Sequence, residues 1–147
     1  METKTKPVIT TNHRGTNVSH DNLIKLLQYS RFSEEIAMLL KDRNMPVNGR
    51  LQRLNPFIDN EGISRVGVRL SQAPMAFAQK HSIILSKSLV TSRIIDHGHK
   101  VSMHSGTQAT LYAVRQRYWP IDGRSHVWRT IKSCVRAVVL IRHQWTT

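Results

Sequence analysis

Two histidines, His99 and His104, stand with four residues between them, and the chain's one cysteine, Cys134, follows thirty residues after the second. Imidazole nitrogens and thiolate sulfur are the donors of tetrahedral zinc. A histidine pair followed about thirty residues later by two cysteines spaced by two would supply all four ligands. Here position 137 is alanine, whose methyl group cannot ligate. An ion held by His99, His104 and Cys134 therefore takes its fourth donor from water or from a substitute such as His97 or His143. The spacing also limits the fold. Five residues at about 100° each set His104 about 140° around a helix from His99, so on one straight helix the two rings cannot share an ion. A helix has to stop between them, and Gly106, just beyond, gives the loop freedom to turn back.

Apolar periodicity supplies the elements around this pair. A helix over about residues 88–99, with Leu89, Ile94 and Ile95, delivers His99 at its end. Residues 107–118 form a second, with Leu111, Val114 and Tyr118 inward and Pro120 as its stop. A third spans about residues 124–136, with Val127, Ile131 and Cys134 or Val135 on one face. Upstream, residues 54–70 have hairpin grammar: a short apolar run, an Asp59-Asn60-Glu61-Gly62 turn, then alternation through Val66, Val68 and Leu70. Residues 80–86 read as a further strand. In residues 21–40, Leu23, Leu26, Leu27, Phe32, Ile36, Leu39 and Leu40 recur at helical intervals and predict one or two helices. Asp21 is the expected cap, and Asn44 with Pro46 the expected stop. Residues 1–20 show no period and are expected to be a mobile tail.

The residues about the histidines and the cysteine resemble a known module. His99, His104 and Gly106, then Thr110-Leu111, then Arg115 with Tyr118-Trp119, then Ile131 with Cys134 and Ala137, follow the wording H-x4-H-x-G, T-L, R-x-x-Y-W and I-x-x-C-x-x-C. That wording resembles the His-His-Cys-Cys zinc-binding domain of retroelement integrases, that of the BEL/Pao retrotransposons most closely. The hairpin is similar to that family's P-F-x-D-x-x-G-x-x-R-V-G-G-R-L, with Val68 where a second glycine is usual. Residues 80–86 are similar to K-H-P-I-I-L-P with Ser82 and Ser86 for the two prolines, and residues 26–33 resemble the connector that precedes the module. The resemblance implies an α+β chain: a helical connector over 21–50, then a module over 54–137 made of a small three-stranded element and a three-helix bundle with a helix-turn-helix-like pair. It implies zinc as an impaired cofactor held by His99, His104 and Cys134, with Ala137 at the lost ligand position. Residues 138–147 do not resemble the basic linker that follows in the family and are expected to be an unrelated short tail.

Charge points to a partner. The net charge is +13. Residues 1–61 carry nine basic against seven acidic side chains. Residues 62–147 carry thirteen basic side chains against Asp96 and Asp122 alone, a net +11. A bias of that size favours a polyanion, with nucleic acid the commonest. Arg115, Arg117, Arg124, Arg129, Lys132 and Arg136 fall on two adjacent predicted helices, where guanidinium groups can fork onto phosphates. Tyr118 and Trp119 are expected in the core, while Trp128 stands open between core packing and base stacking.

Several function classes are set aside. Three ligands plus water is also the pattern of catalytic zinc, yet Asp96 is the one carboxylate near the motif and it sits at a helix surface position. In the resembled family the catalytic carboxylates lie in a separate domain beyond the second cysteine, and with the chain ending at Thr147 no strand transfer is expected. A non-catalytic, weakly specific nucleic-acid-binding domain is the leading expectation. A multimerisation module forming homo-oligomers and an inert transposon remnant are the alternatives. The apolar run at Val138, Val139, Leu140 and Ile141 falls far short of the roughly twenty residues that cross a bilayer. A single cysteine excludes an intramolecular disulfide, and the polar amino terminus carries no apolar signal segment. Both fit an intracellular protein, nuclear or cytoplasmic, in which the sequon Asn17-Val18-Ser19 is a chance match.

Overall fold

The computed structural model describes residues 18–41, 49–67 and 74–134. The expectations for residues 1–17, for the Asn44 and Pro46 stop, for Val68, and for Arg136, Ala137 and the final ten residues lie outside this set.

A long helix, α1 (Val18–Leu40), opens the described chain, three residues before the expected boundary. Asp21 lies within its first turn rather than capping it, and Phe32 breaks the helical dihedrals at φ −129°, ψ 31°, so the one-or-two-helix expectation resolves as one kinked helix. Its inward stripe is Ile24, Gln28, Phe32 and Ile36, a strict four-residue spacing. Leu23, Leu26 and Leu40 are instead exposed. Gln28, fully buried, donates to the carbonyls of Ser64 and Ile84 and accepts from the Ser64 amide, so one side chain ties the helix to two strands.

A 3-10 turn at Gln52–Leu54 leads into the hairpin, with β1 (Phe57–Ile58) antiparallel to β2 (Ser64–Arg65). The expected turn forms. Asp59 accepts from the amides of Glu61 and Ile63, Gly62 takes φ 79°, and Arg65 returns to the Asp59 carboxylate. Gly67 is required by closeness: a Cβ there would lie 2.0 Å from the Asn55 carbonyl oxygen. After a short helix, α2 (Phe77–Lys80), that the sequence did not signal, β3 (Ile83–Leu85) is buried along its whole length and pairs antiparallel with β2.

The bundle follows as α3 (Leu89–Val101), α4 (Thr107–Arg115) and α5 (Gly123–Lys132), each packed on the other two. Ser88 caps α3 by accepting from the Thr91 amide. Between α4 and α5 the structure departs from expectation. The second helix stops at Arg115, and Tyr118–Pro120 forms a fourth strand, β4, parallel to β3. The sheet is thus four-stranded and mixed, in the order β1-β2-β3-β4. Pro120 is tolerated because β4 is an edge strand, where a missing N–H costs least. The third helix also ends early, at Lys132, leaving Cys134 just past its end.

Three apolar clusters fill the interior. Ile24, Ile63, Ile83 and Leu85 join α1 to the sheet. Phe32, Ile36, Leu51 and Ile84 form a second group, and Ile95, Leu111, Val114, Val127 and Ile131 form the bundle core. Ile94 and Tyr118 pack against both the first and the last, so sheet and bundle share a boundary. None of the described helices is long and apolar enough to cross a membrane.

Candidate metal centre

His99 sits in the last turn of α3 with 1% of its surface exposed. Gly98 beside it makes this depth reachable: a Cβ there would meet Val114 Cγ2 at 2.6 Å, so α3 and α4 approach as closely as they do only because position 98 has no side chain. That approach sets the His99 Nδ1 atom 3.2 Å from the Thr110 hydroxyl oxygen, and Thr110 in turn donates to the Ser105 carbonyl at 3.3 Å. With its hydrogen so engaged, the Thr110 oxygen accepts from Nδ1–H. An imidazole that donates through Nδ1 in this way keeps its Nε2 lone pair for a metal ion. Nε2 is buried and has no hydrogen-bond partner among the described residues. Burial, with His104 beside it, holds the imidazole below its ordinary pKa, which keeps it neutral and able to ligate.

The chain then reverses within a few residues. Met103 and His104 both occupy the left-handed region, at φ 55° and 56°, and the His104 amide donates to the His99 carbonyl at 2.9 Å. The helix does end between the two histidines, as their spacing demands. The turning is done by Met103 and His104 rather than by Gly106, which has an ordinary φ of −64° and caps α4. The two imidazoles face each other edge to face, with centroids 5.0 Å apart.

Cys134 completes the group from the other side. Its amide donates to the Ile131 carbonyl, and its Sγ lies 3.4 Å from His104 Nδ1. Zn–N and Zn–S bonds of about 2.05 and 2.3 Å at the tetrahedral angle place nitrogen and sulfur about 3.5 Å apart, so this edge already has the separation of a shared ion. One ligand atom from each of His99, His104 and Cys134 lies within 4.8 Å of the others, and this trio is the metal-ligating cluster found among the described residues. The orphaned Nε2 and the two-nitrogen, one-sulfur donor set fit zinc. The cluster is partial, with three donors where a closed structural site has four. His97, suggested as a substitute, is exposed on α3 and takes no part. Asp96 is turned to its own surface pair, accepting from Lys100 at 2.7 Å, and that bond holds its carboxyl below the usual range.

The basic residues divide into two groups. Arg124, Arg129 and Lys132 are exposed on α5, on either side of Trp128, which is 54% exposed and carries the Lys132 ammonium 4.8 Å from its ring centroid. Arg115 is half-buried, its guanidinium 4.2 Å from the Trp119 centroid, and Arg117 lies over Tyr118 at 5.5 Å. Those two follow or close α4 rather than sharing a helical face with the α5 cations. Tyr118 and Trp119 are partly buried, Tyr118 against two of the apolar clusters. Sequence reasoning missed Gly98 and the orienting role of Thr110. The helical offset of Gly98 from the buried Ile95 was the available signal for the first.

A helical bundle joined to a small mixed sheet, with a partial His2Cys cluster in which His99 is buried and His104 and Cys134 are partly exposed, defines a structural metal-binding domain of the α+β class. Residues 87–136 match the family described as integrase zinc binding domain, and a zinc-binding domain of integrase type is therefore present in that segment. The family is a structural zinc-binding domain, not a catalytic integrase core, in keeping with a non-enzymatic role. No curated protein and no solved structure matches the chain.

Proposed function

We propose that the chain is a non-catalytic domain of BEL/Pao-type retrotransposon integrase descent, in which a zinc ion held by His99, His104 and Cys134 ties the ends of α3 and α5 together so that α5 offers a basic face to nucleic acid. The observation that carries this reading is the set Arg124, Arg129 and Lys132, all exposed on α5 and without an ion pair among the described residues. Their inward neighbours Val127 and Ile131 are buried, so the helix has one face for the core and one for a partner. Zinc, when bound, supplies a cross-link without redox chemistry. The cations supply phosphate contacts that are insensitive to sequence.

Nonspecific duplex binding with Kd on the order of 10⁻⁴ to 10⁻⁶ M near physiological salt is the expected strength. Each phosphate contact contributes about −0.9 to the slope of log K against log salt. The triple variant Arg124→Ala, Arg129→Ala, Lys132→Ala should therefore bind more weakly and with a shallower slope than the parent in a salt titration. An unchanged affinity and slope would remove α5 as the contact face.

A further inference from the structure

A groove of about 430 Å³ runs beside Trp128, lined by Thr107 and Gln108 of α4 and by Arg124, Ser125, Trp128 and Arg129 of α5. No lining residue is acidic. Positions 124, 125, 128 and 129 are one face of a helix, so the indole and the two guanidinium groups open on the same side. Trp128 is 54% exposed although it belongs to a helix whose Val127 and Ile131 are fully or nearly buried, and the Lys132 ammonium lies over its ring. A tryptophan left outside the core, beside unpaired arginines and a wall bearing a hydroxyl and an amide, has the chemistry of a base-stacking platform next to a phosphate clamp.

We infer that this groove takes an unpaired nucleotide, its base on the indole of Trp128 and its phosphate between Arg124 and Arg129, with Thr107 and Gln108 as hydrogen-bonding groups on the opposite wall. The inference rests on the nucleic-acid reading above and narrows it: the preferred target is a single strand or an opened end rather than a closed duplex. A base that is already unpaired reaches the ring without loss of its own pairing and stacking.

Fluorescence anisotropy on the full chain tests this with three labelled probes: a short single strand of mixed sequence, the same strand in a blunt duplex, and the single strand with abasic sites in place of its central nucleotides. Stacking on one aromatic side chain corresponds to a preference on the order of five- to a hundred-fold. The expected result is that the single strand binds more tightly than the duplex by a factor in that range and that the abasic strand loses the advantage. Trp128→Ala should reduce single-strand affinity to the duplex level while the salt slope stays, and Trp128→Phe should restore part of the preference. Because Trp128 is exposed, an unchanged melting temperature in these variants separates lost stacking from lost fold. Equal binding of single strand and duplex, or a preference that survives Trp128→Ala, would overturn the inference and leave the charge-based function standing. Salt-insensitive or absent binding of all three probes would overturn both.

Discussion

Met103 and His104 hold the metal centre together by an unfavourable backbone. A non-glycine residue in a sparsely populated region costs on the order of 1–3 kcal/mol, and such residues gather where geometry is needed for function. Here the reversal turns His104 back toward His99 and the sulfur of Cys134. The spacing of the histidines showed that a reversal had to occur, since that follows from helix geometry alone. It did not show which residues would make it, because glycine is the usual answer and Gly106 was at hand. Gly98 is the opposite case, an unremarked glycine whose missing side chain decides how close α3 comes to α4. Gly98→Ala should destabilise the protein by roughly 1–3 kcal/mol through overpacking. It should also weaken zinc binding, since His99 would be displaced from Thr110. Chemical denaturation and chelator competition check the two effects, and a variant with both unchanged would show that the contact with Val114 relaxes without moving the site.

Gln28 shows how a helix can be assigned correctly and its face misread. The leucines at 23, 26 and 27 equal in number the apolar residues on the true inward side, Ile24, Phe32 and Ile36, whose stripe also includes a glutamine that hydrophobic periodicity counts as polar. Its amide group completes main-chain hydrogen bonds of β2 and β3, so it is buried for the reason an apolar residue is not. Gln28→Ala leaves the amide and carbonyl of Ser64 without these partners. At about 1–3 kcal/mol per unsatisfied buried group, a loss of about 3 kcal/mol is expected in urea unfolding, whereas Leu26→Ala on the exposed face should change little. A small effect of Gln28→Ala would mean that water replaces the side chain. β4 was hidden for a related reason. Leu111, Val114 and Tyr118 continue a helical period past the true end at Arg115, while the aromatic pair before Pro120 carried the competing strand signal. The hairpin, by contrast, was legible because turn chemistry is local: Asp59 and Gly62 act on their own neighbours.

Across the molecule, two partly or fully buried histidines make stability depend on pH. Burial lowers the pKa of His99, with His104 adding to it. Burial also lowers that of His126, with Lys87 and Arg129 adding to it. His126 accepts or donates at the Ser92 hydroxyl through Nε2, 2.8 Å away, and its buried Nδ1 has no partner among the described residues. A histidine with a lower pKa in the folded state binds fewer protons there than in the unfolded chain. The stability it supports is therefore complete above the ordinary value of about 6.5 and is lost as pH falls from there through the folded-state value. In metal-free buffer, the urea midpoint should fall between about pH 7 and about pH 5, and His126→Gln should flatten part of that fall. A midpoint that is constant over this range would contradict the assignment of both groups as buried and neutral.

The His99, His104 and Cys134 cluster brings the end of α3 to the residues just past α5, and zinc affinity reports on that junction directly. The decisive measurement is zinc affinity by chelator competition, paired with melting temperature with and without zinc, for the wild-type chain, Ala137→Cys, and Ala137→Cys with His104→Ala. A second thiolate three residues beyond Cys134 restores the usual cysteine spacing. Each tenfold gain in affinity under excess zinc adds about 1.4 kcal/mol to the folded state. The predicted result is measurable zinc binding by the wild type, at least tenfold tighter binding with a higher melting temperature in Ala137→Cys, and loss of that gain when His104 is removed. Equal affinity in the first two proteins, or a gain that survives His104→Ala, would show that His99, His104 and Cys134 do not form one metal centre.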